Sequence, residues 1–113
     1  MKRFKILAVL LLTVISIQAM PPTSGINDVL ISADDQGDKV VFTIENTGST
    51  GINISYIVIQ DDVLMLADGS KTFAPGETKL VEVTKSAGIH EYELRIWEGT
   101  RQGTPANSIS IEG

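Results

Sequence analysis

The stretch that decides the fold is residues 89–97, IHEYELRIW. Apolar and charged side chains alternate along it, and one face is formed by Tyr92, Leu94 and Ile96. A period of two residues is typical of a β-strand with one buried face, because successive side chains point to opposite sides of a strand. The stretch therefore predicts a strand whose apolar face lies in a core.

The same alternation recurs along the chain. In residues 39–45 (KVVFTIE), the apolar face is formed by Val40, Phe42 and Ile44. Further strands are predicted at residues 29–32, 52–66, 79–84 and 108–112; the second of these is interrupted at residues 60–62, as in a hairpin or a bent strand. Turns are predicted at residues 34–38, 46–51, 68–70, 73–77, 86–88 and 98–107. About seven short strands and no helical period after the first 20 residues favour an all-β fold, an immunoglobulin-like antiparallel β-sandwich over residues 28–113.

Tyr92 stands at the start of the penultimate predicted strand, four residues after Gly88. Sandwiches of this class often carry a tyrosine there, whose hydroxyl ties the preceding loop to the sheet. A plain core tyrosine is the alternative. The two interpretations differ in whether the hydroxyl bonds to backbone a few residues upstream.

The beginning of the chain predicts its compartment. Lys2, Arg3 and Lys5 precede an apolar run over residues 6–17, and Ala19 offers a small residue for cleavage. This layout is that of a secretory signal peptide over residues 1–19, followed by a Pro- and Ser-containing linker over residues 20–27. A retained anchor is the alternative, and only then do we expect membrane association. We expect a secreted, periplasmic or cell-surface location.

Composition excludes several classes of function. Cleavage after Ala19 removes three of the nine basic residues and none of the 14 acidic ones, so the net charge of the remaining 94 residues is −8. Phosphate repulsion then opposes nucleic-acid binding. There is no cysteine, so disulfides and thiolate metal sites are excluded and the core must rely on packing.

Few residues favour catalysis. His90 is the only histidine, and no nucleophile motif accompanies it, so we interpret it as a surface or rim residue. The acidic groups at residues 34–38 and 61–62 are typical of turns, because Asp side chains bond to local backbone. A loose calcium site formed by Asp34, Asp35 and Asp38 is the alternative for the first group. We predict no enzyme activity, no catalytic residues and no cofactor.

The strand over residues 52–59 is apolar on both faces. Ile57 and Ile59 lie on the face that a two-layer sandwich normally leaves in water. Cover by a partner, by a neighbouring copy or by a loop would explain them, and so would a bulge that flips the alternation. Asn53 and Ser55 also complete an N-glycosylation acceptor pattern.

Three segments carry a resemblance to a family: residues 40–50 (VVFTIENTGST), 73–83 (FAPGETKLVEV) and 88–97 (GIHEYELRIW). They resemble small immunoglobulin-like modules of bacterial and archaeal surface proteins, in particular the cell-adhesion-related domain found in bacteria. That family shows a strand ending in N-T-G, an A-P-G-E/Q-T/S turn and a G-x-Y/H strand. The resemblance implies an immunoglobulin-like module that binds a protein or surface polymer, or associates with itself through a sheet face or edge.

A second resemblance points to chagasin-like inhibitors of cysteine peptidases. Those inhibitors present three loops, and residues 46–51, 74–78 and 95–101 of this chain occupy the equivalent places. The matching motif residues are Thr50, Gly51, Arg95, Trp97 and Gly99, while Ile96 stands where the motif has proline. Trp97 follows an inward-facing residue, so we expect it to point away from the core, or to lie where the strand meets the loop, as an exposed binding residue.

The sequence therefore predicts an exported, non-enzymatic β-sandwich that acts as a binding or structural module of the cell envelope or surface. A chagasin-like peptidase inhibitor is the alternative. The residues predicted to contact a partner are Thr50, Gly51, Ile57, Ile59, Arg95, Trp97 and Gly99.

Overall fold

The computed structural model describes residues 28–113, so the predicted signal peptide and linker lie outside the described residues. The described chain forms seven strands: β1 (Val29–Asp35), β2 (Lys39–Asn46), β3 (Ile52–Gln60), β4 (Leu64–Phe73), β5 (Thr78–Thr84), β6 (Glu91–Glu98) and β7 (Asn107–Glu112). They form two antiparallel sheets, of order β1-β2-β5 and β4-β3-β6-β7. The prediction of an all-β fold with about seven antiparallel strands is confirmed.

The two sheets pack face to face over one core, as in a β-sandwich. The apolar face of β2 meets that of β6, and β3 contributes Ile54 and Val58 to the same cluster. The central side chains of these strands are fully buried: Val40, Phe42, Ile44, Tyr92, Leu94 and Ile96. The two stretches that the alternation singled out therefore form the centre of the core.

Tyr92 makes the corner contact that the sequence predicted. Its ring is fully buried, and its hydroxyl accepts a hydrogen bond from the backbone N–H of Ser86 at 2.9 Å. Because Ser86 lies between β5 and β6, this bond fastens the connection between the two sheets to the core.

The predicted turn at residues 68–70 is wrong, because these residues lie inside β4. Gly69 pairs with Tyr56 on β3, and a Cβ at position 69 would stand 3.0 Å from the tyrosine hydroxyl. The glycine therefore makes room for an aromatic ring on the neighbouring strand and does not mark a reversal. Asp34 and Asp35, also predicted in a turn, are the last residues of β1.

The side chains of β3 alternate between the two faces of the sheet along the whole strand. Its pairing with β6 runs without a break from Ile54 to Gln60, so Ile57 and Ile59 stay on the outer face. A register shift does occur, but it lies in the pairing with β4, where Leu66 is the additional residue. The proposed flip of β3 by a bulge is therefore wrong.

Candidate functional site

Three connections meet at one end of the sandwich: residues 47–51, 74–77 and 99–106, here called the loop end. Asn46, fully buried at the end of β2, joins the first two. Its amide nitrogen donates to the carbonyls of Thr50 (2.8 Å) and Ala74 (3.2 Å), and its amide oxygen accepts from the Gly48 N–H at 3.0 Å. Asp28, the first described residue, is also here, since its carbonyl accepts from Thr47 N at 2.8 Å.

The third connection is fastened to β3. The Gly99 N–H donates to the Asn53 carbonyl at 2.9 Å, and the Gly99 carbonyl accepts from the Ser55 hydroxyl. Gly99 has φ +78°, a conformation that favours glycine. An open groove at this place is lined by Gly51, Ile52, Asn53, Thr72, Glu98 and Gly99. Two predicted site residues, Gly51 and Gly99, therefore line one groove, and Thr50 adjoins it.

Trp97 differs from the prediction. It points away from the core, opposite Ser55 on the outer face of the four-stranded sheet, but its exposed fraction is only 8%. Its indole N–H donates to the Gly103 carbonyl at 3.1 Å, so the connection to β7 folds back over the ring. The expectation of an exposed tryptophan is wrong because strand alternation does not show that a following loop covers the outer face.

Arg95 reaches toward the opposite end of the molecule. Its guanidinium contacts Glu93 at 2.8 Å and Asp62 at 2.6 Å. The hydrogen bond to Glu93, and to a lesser extent that to Asp62, raises the pKa of Arg95 above its usual value. Ile57, opposite Arg95 in the register, is 94% buried and is not available to a partner. Ile59 is half-buried. The predicted site residues thus divide between the two ends and the middle of one sheet.

The end opposite the loop end, here called the hairpin end, contains the β3–β4 turn (residues 61–63) and the connection from β5 to β6. Asp61 and Asp62 both adopt the left-handed conformation, with φ 53° and 63°, which is uncommon outside glycine although Asp is among the residues that tolerate it. Asp62 is bonded to Arg95. Asp61 accepts from the Glu91 N–H at 2.9 Å. These contacts hold the turn against β6.

His90 is the second clamp on this turn. Its Nδ1 lies 2.6 Å from an Asp61 carboxylate oxygen, and its Nε2 lies 2.7 Å from the Ala87 carbonyl. Neither acceptor carries a proton, so the imidazolium, which donates from both nitrogens, satisfies both contacts. The bond to Asp61, and then that to Ala87, raise the pKa of His90. The Glu91 N–H, and then the His90 ring, hold the pKa of Asp61 below its usual value.

This geometry predicts a pH dependence of stability. The pKa of His90 in the folded protein lies above its usual value near 6.5. The contribution of charged His90 to folding stability is therefore complete below about pH 6.5 and is lost as the pH rises through the pKa of the folded state. His90 is the only histidine and cysteine is absent, so no other side chain normally titrates in that window. We expect urea denaturation to show lower stability of the wild type at about pH 8.5 than at about pH 6.

His90→Asn, which does not titrate, is the matched control for this prediction. We expect the loss between the two pH values to be absent in the variant. An equal loss in the variant and the wild type would contradict the assignment to His90.

The other acidic groups do not converge. Asp35 is bonded to Lys85 at 3.0 Å and to the Gly37 N–H, whereas Asp34 lies on the opposite face of β1. Within residues 28–113, no group of three or more His, Cys, Asp or Glu side chains is placed to hold a metal ion, and this contradicts the calcium alternative. The described part of the chain also has no helix long and apolar enough to cross a membrane.

The alternation of apolar residues predicts neither the role of Asn46 nor the exposure of Val63, Leu64 and Met65. Asn46 is predicted in a loop, although its position before Thr47 and Gly48 is typical of a side chain that caps a turn. The hairpin alternative for residues 52–66 is confirmed, since residues 61–63 turn the chain from β3 to β4, but Val63, Leu64 and Met65 are exposed beside that turn.

No protein-family model matches the chain, and no curated protein matches it. Among solved structures, a β-galactosidase-related chain from Bacteroides fragilis is similar, with 11% sequence identity and a TM-score of 0.38 over 75% of this chain. The match covers 15% of that longer chain. At this identity and score, the similarity carries no functional argument.

Proposed function

We propose that this protein is an exported, non-enzymatic, immunoglobulin-like module that binds a partner in the cell envelope or at the cell surface, or contributes to its structure. The non-enzymatic part of the proposal is supported by the contacts of His90. Acceptors lie within 2.7 Å of both ring nitrogens, so the only histidine fastens a turn and neither nitrogen is free to face a substrate. The immunoglobulin-like assignment is supported by the Tyr92 corner bond and by the strand order, in which the sheet β1-β2-β5 faces the sheet β4-β3-β6-β7.

The distribution of polar contacts also supports a scaffold that presents loops. Asn46 organises the loop end from a fully buried position, and Asp61 and Asp62 are clamped at the hairpin end by His90 and Arg95. Connections fixed by buried or paired side chains lose little conformational entropy when a partner binds. Both ends of this sandwich are therefore suitable as rigid binding surfaces.

Export is tested by the mass of the native protein. We expect a mature N-terminus at Met20, because the basic start, the apolar run and Ala19 together form a cleavable signal. Intact-mass analysis of protein from the native envelope fraction or the medium checks this. A species that begins at Met1 would contradict cleavage and favour an anchor.

The chagasin-like inhibitor remains a second candidate on one specific observation. The three connections that the resemblance implies, near Thr50, Gly76 and Gly99, meet at one end of the sandwich. Against this candidate, Trp97 is covered by its own loop and Arg95 is bonded to Glu93 and Asp62 away from that end. The two residues that the resemblance makes most important are therefore not presented together.

A further inference from the structure

The hairpin end exposes three consecutive apolar residues. Val63, Leu64 and Met65 are exposed by 83%, 51% and 47%. Met65 pairs with Ile59 on the outer face of the four-stranded sheet, whereas Leu64 pairs with Gln60 and lies on the other face. We call Ile59, Val63, Leu64 and Met65 the tip patch. Of the other large exposed apolar residues in the described chain, Ile89 lies in the β5–β6 connection at the same end, and Leu30 and Leu80 lie on the three-stranded sheet.

The turn that precedes Val63, Leu64 and Met65 is fastened by side-chain contacts. It contains two residues in the left-handed conformation, Asp61 and Asp62, and such conformations persist only where surrounding contacts enforce them. Here the enforcing contacts are His90 on Asp61 and Arg95 on Asp62. Exposed apolar side chains on a rigid support are a recurrent property of binding surfaces, because little ordering is needed when a partner arrives.

The same face becomes acidic on the side away from the tip patch. Glu91 on β6 pairs directly with Glu112 on β7, and both side chains are exposed. Like charges directly opposite each other across two strands are destabilising. A cation placed between them would relieve this repulsion. The hairpin end therefore presents apolar groups on β3 and β4 beside a pair of carboxylates on β6 and β7.

We propose that this surface docks a basic, amphipathic segment of a partner protein, with its apolar side on the tip patch and its Lys or Arg side chains on Glu91 and Glu112. The proposal rests on the binding function proposed above and names the surface and the partner chemistry. Charge complementarity decides the occupant: a second copy would bring another acidic chain and the same pair of carboxylates. Contact of the tip patch with a bilayer would bring the carboxylates of Asp61 and Asp62 to the lipid headgroups, which disfavours a membrane as the occupant.

The test uses a defined probe, an amphipathic peptide of Leu and Lys of about 14 residues, long enough to form a helix. Its control is a scrambled peptide of the same composition with no apolar face. Isothermal titration to the purified protein should show tighter binding of the amphipathic peptide by about tenfold or more. Equal affinities would mean that only net charge attracts the peptide, which would overturn the proposal.

Variants locate the binding. Val63→Ser with Leu64→Ser and Met65→Ser should weaken the amphipathic peptide by about tenfold or more, and Glu91→Gln with Glu112→Gln should weaken it and reduce its dependence on salt. Leu30→Ser with Leu80→Ser, on exposed positions of the other sheet, is the matched control and should change nothing. Circular dichroism confirms that each variant is folded.

Several results would overturn the proposal. They are binding that survives the tip substitutions, an equal loss in the Leu30/Leu80 control, a dimer in sedimentation that the tip substitutions abolish, and binding to neutral phosphatidylcholine vesicles that requires the patch. Inhibition of cysteine peptidases would instead overturn the proposed function itself. If the tip proposal is overturned and no peptidase is inhibited, the proposed binding module stands, but its binding surface lies elsewhere.

Discussion

Trp97→Ala is expected to lower the free energy of unfolding by about 3 to 5 kcal/mol, the usual cost of removing a buried tryptophan side chain. Trp97 lies outside the central core but is 92% buried beneath the connection to β7, and its indole N–H is bonded to Gly103. The substitution removes both the packing surface and the anchor for that loop. Urea denaturation followed by circular dichroism measures the loss.

Trp97→Phe is the matched control, since it keeps an aromatic ring and loses the N–H donor. We expect a smaller cost than for alanine. Trp97 is the only tryptophan, so its fluorescence in the wild type reports the same burial: emission should be blue-shifted and resistant to iodide. An alanine variant as stable as the wild type, with quenchable emission in the wild type, would show that the loop does not cover the ring.

Leu94→Ala is expected to cost about 2 to 5 kcal/mol, because it opens a cavity at the centre of the sandwich. Leu94 is fully buried on β6 and pairs with Val58 on one side and with Ile109 on the other. Small domains are stable by only about 5 to 15 kcal/mol. The variant should therefore melt at a markedly lower temperature.

Leu80→Ala provides the comparison for Leu94→Ala. The same chemical change is made on β5, where the side chain is 50% exposed, and surface changes of this kind usually stay within about 0.5 kcal/mol. Thermal and urea denaturation of both variants should separate them clearly. Similar losses in the two variants, or no loss at Leu94, would mean that the face of β6 is assigned incorrectly.

The fold was largely predictable because a strand with one buried face alternates apolar and polar residues along its sequence. Residues 39–45 and 89–97 show it clearly. The position of Tyr92 at the start of a strand left a corner tyrosine and a plain core tyrosine open, and the bond from the Ser86 N–H to its hydroxyl favours the first. The error at residues 68–70 has a physical reason. Gly69 is small because Tyr56 lies against it, and a single sequence does not distinguish a glycine that makes room for a ring from one that turns the chain.

The candidate site was less predictable because it depends on contacts between distant segments. Alternation correctly directed Trp97 away from the core, but it contains no information about a loop that returns over the outer face. The bonds from Asn46 to Ala74 and from His90 to Asp61 join residues about 30 positions apart. Such contacts follow from the packed topology and not from local residue patterns.

We propose that this sandwich is a binding or structural module and not a peptidase inhibitor. An inhibition assay of the purified protein against a panel of papain-like cysteine peptidases tests this proposal. Because Trp97 is covered and Arg95 is engaged by Glu93 and Asp62, we expect no inhibition at micromolar protein. Inhibition at nanomolar protein would contradict it.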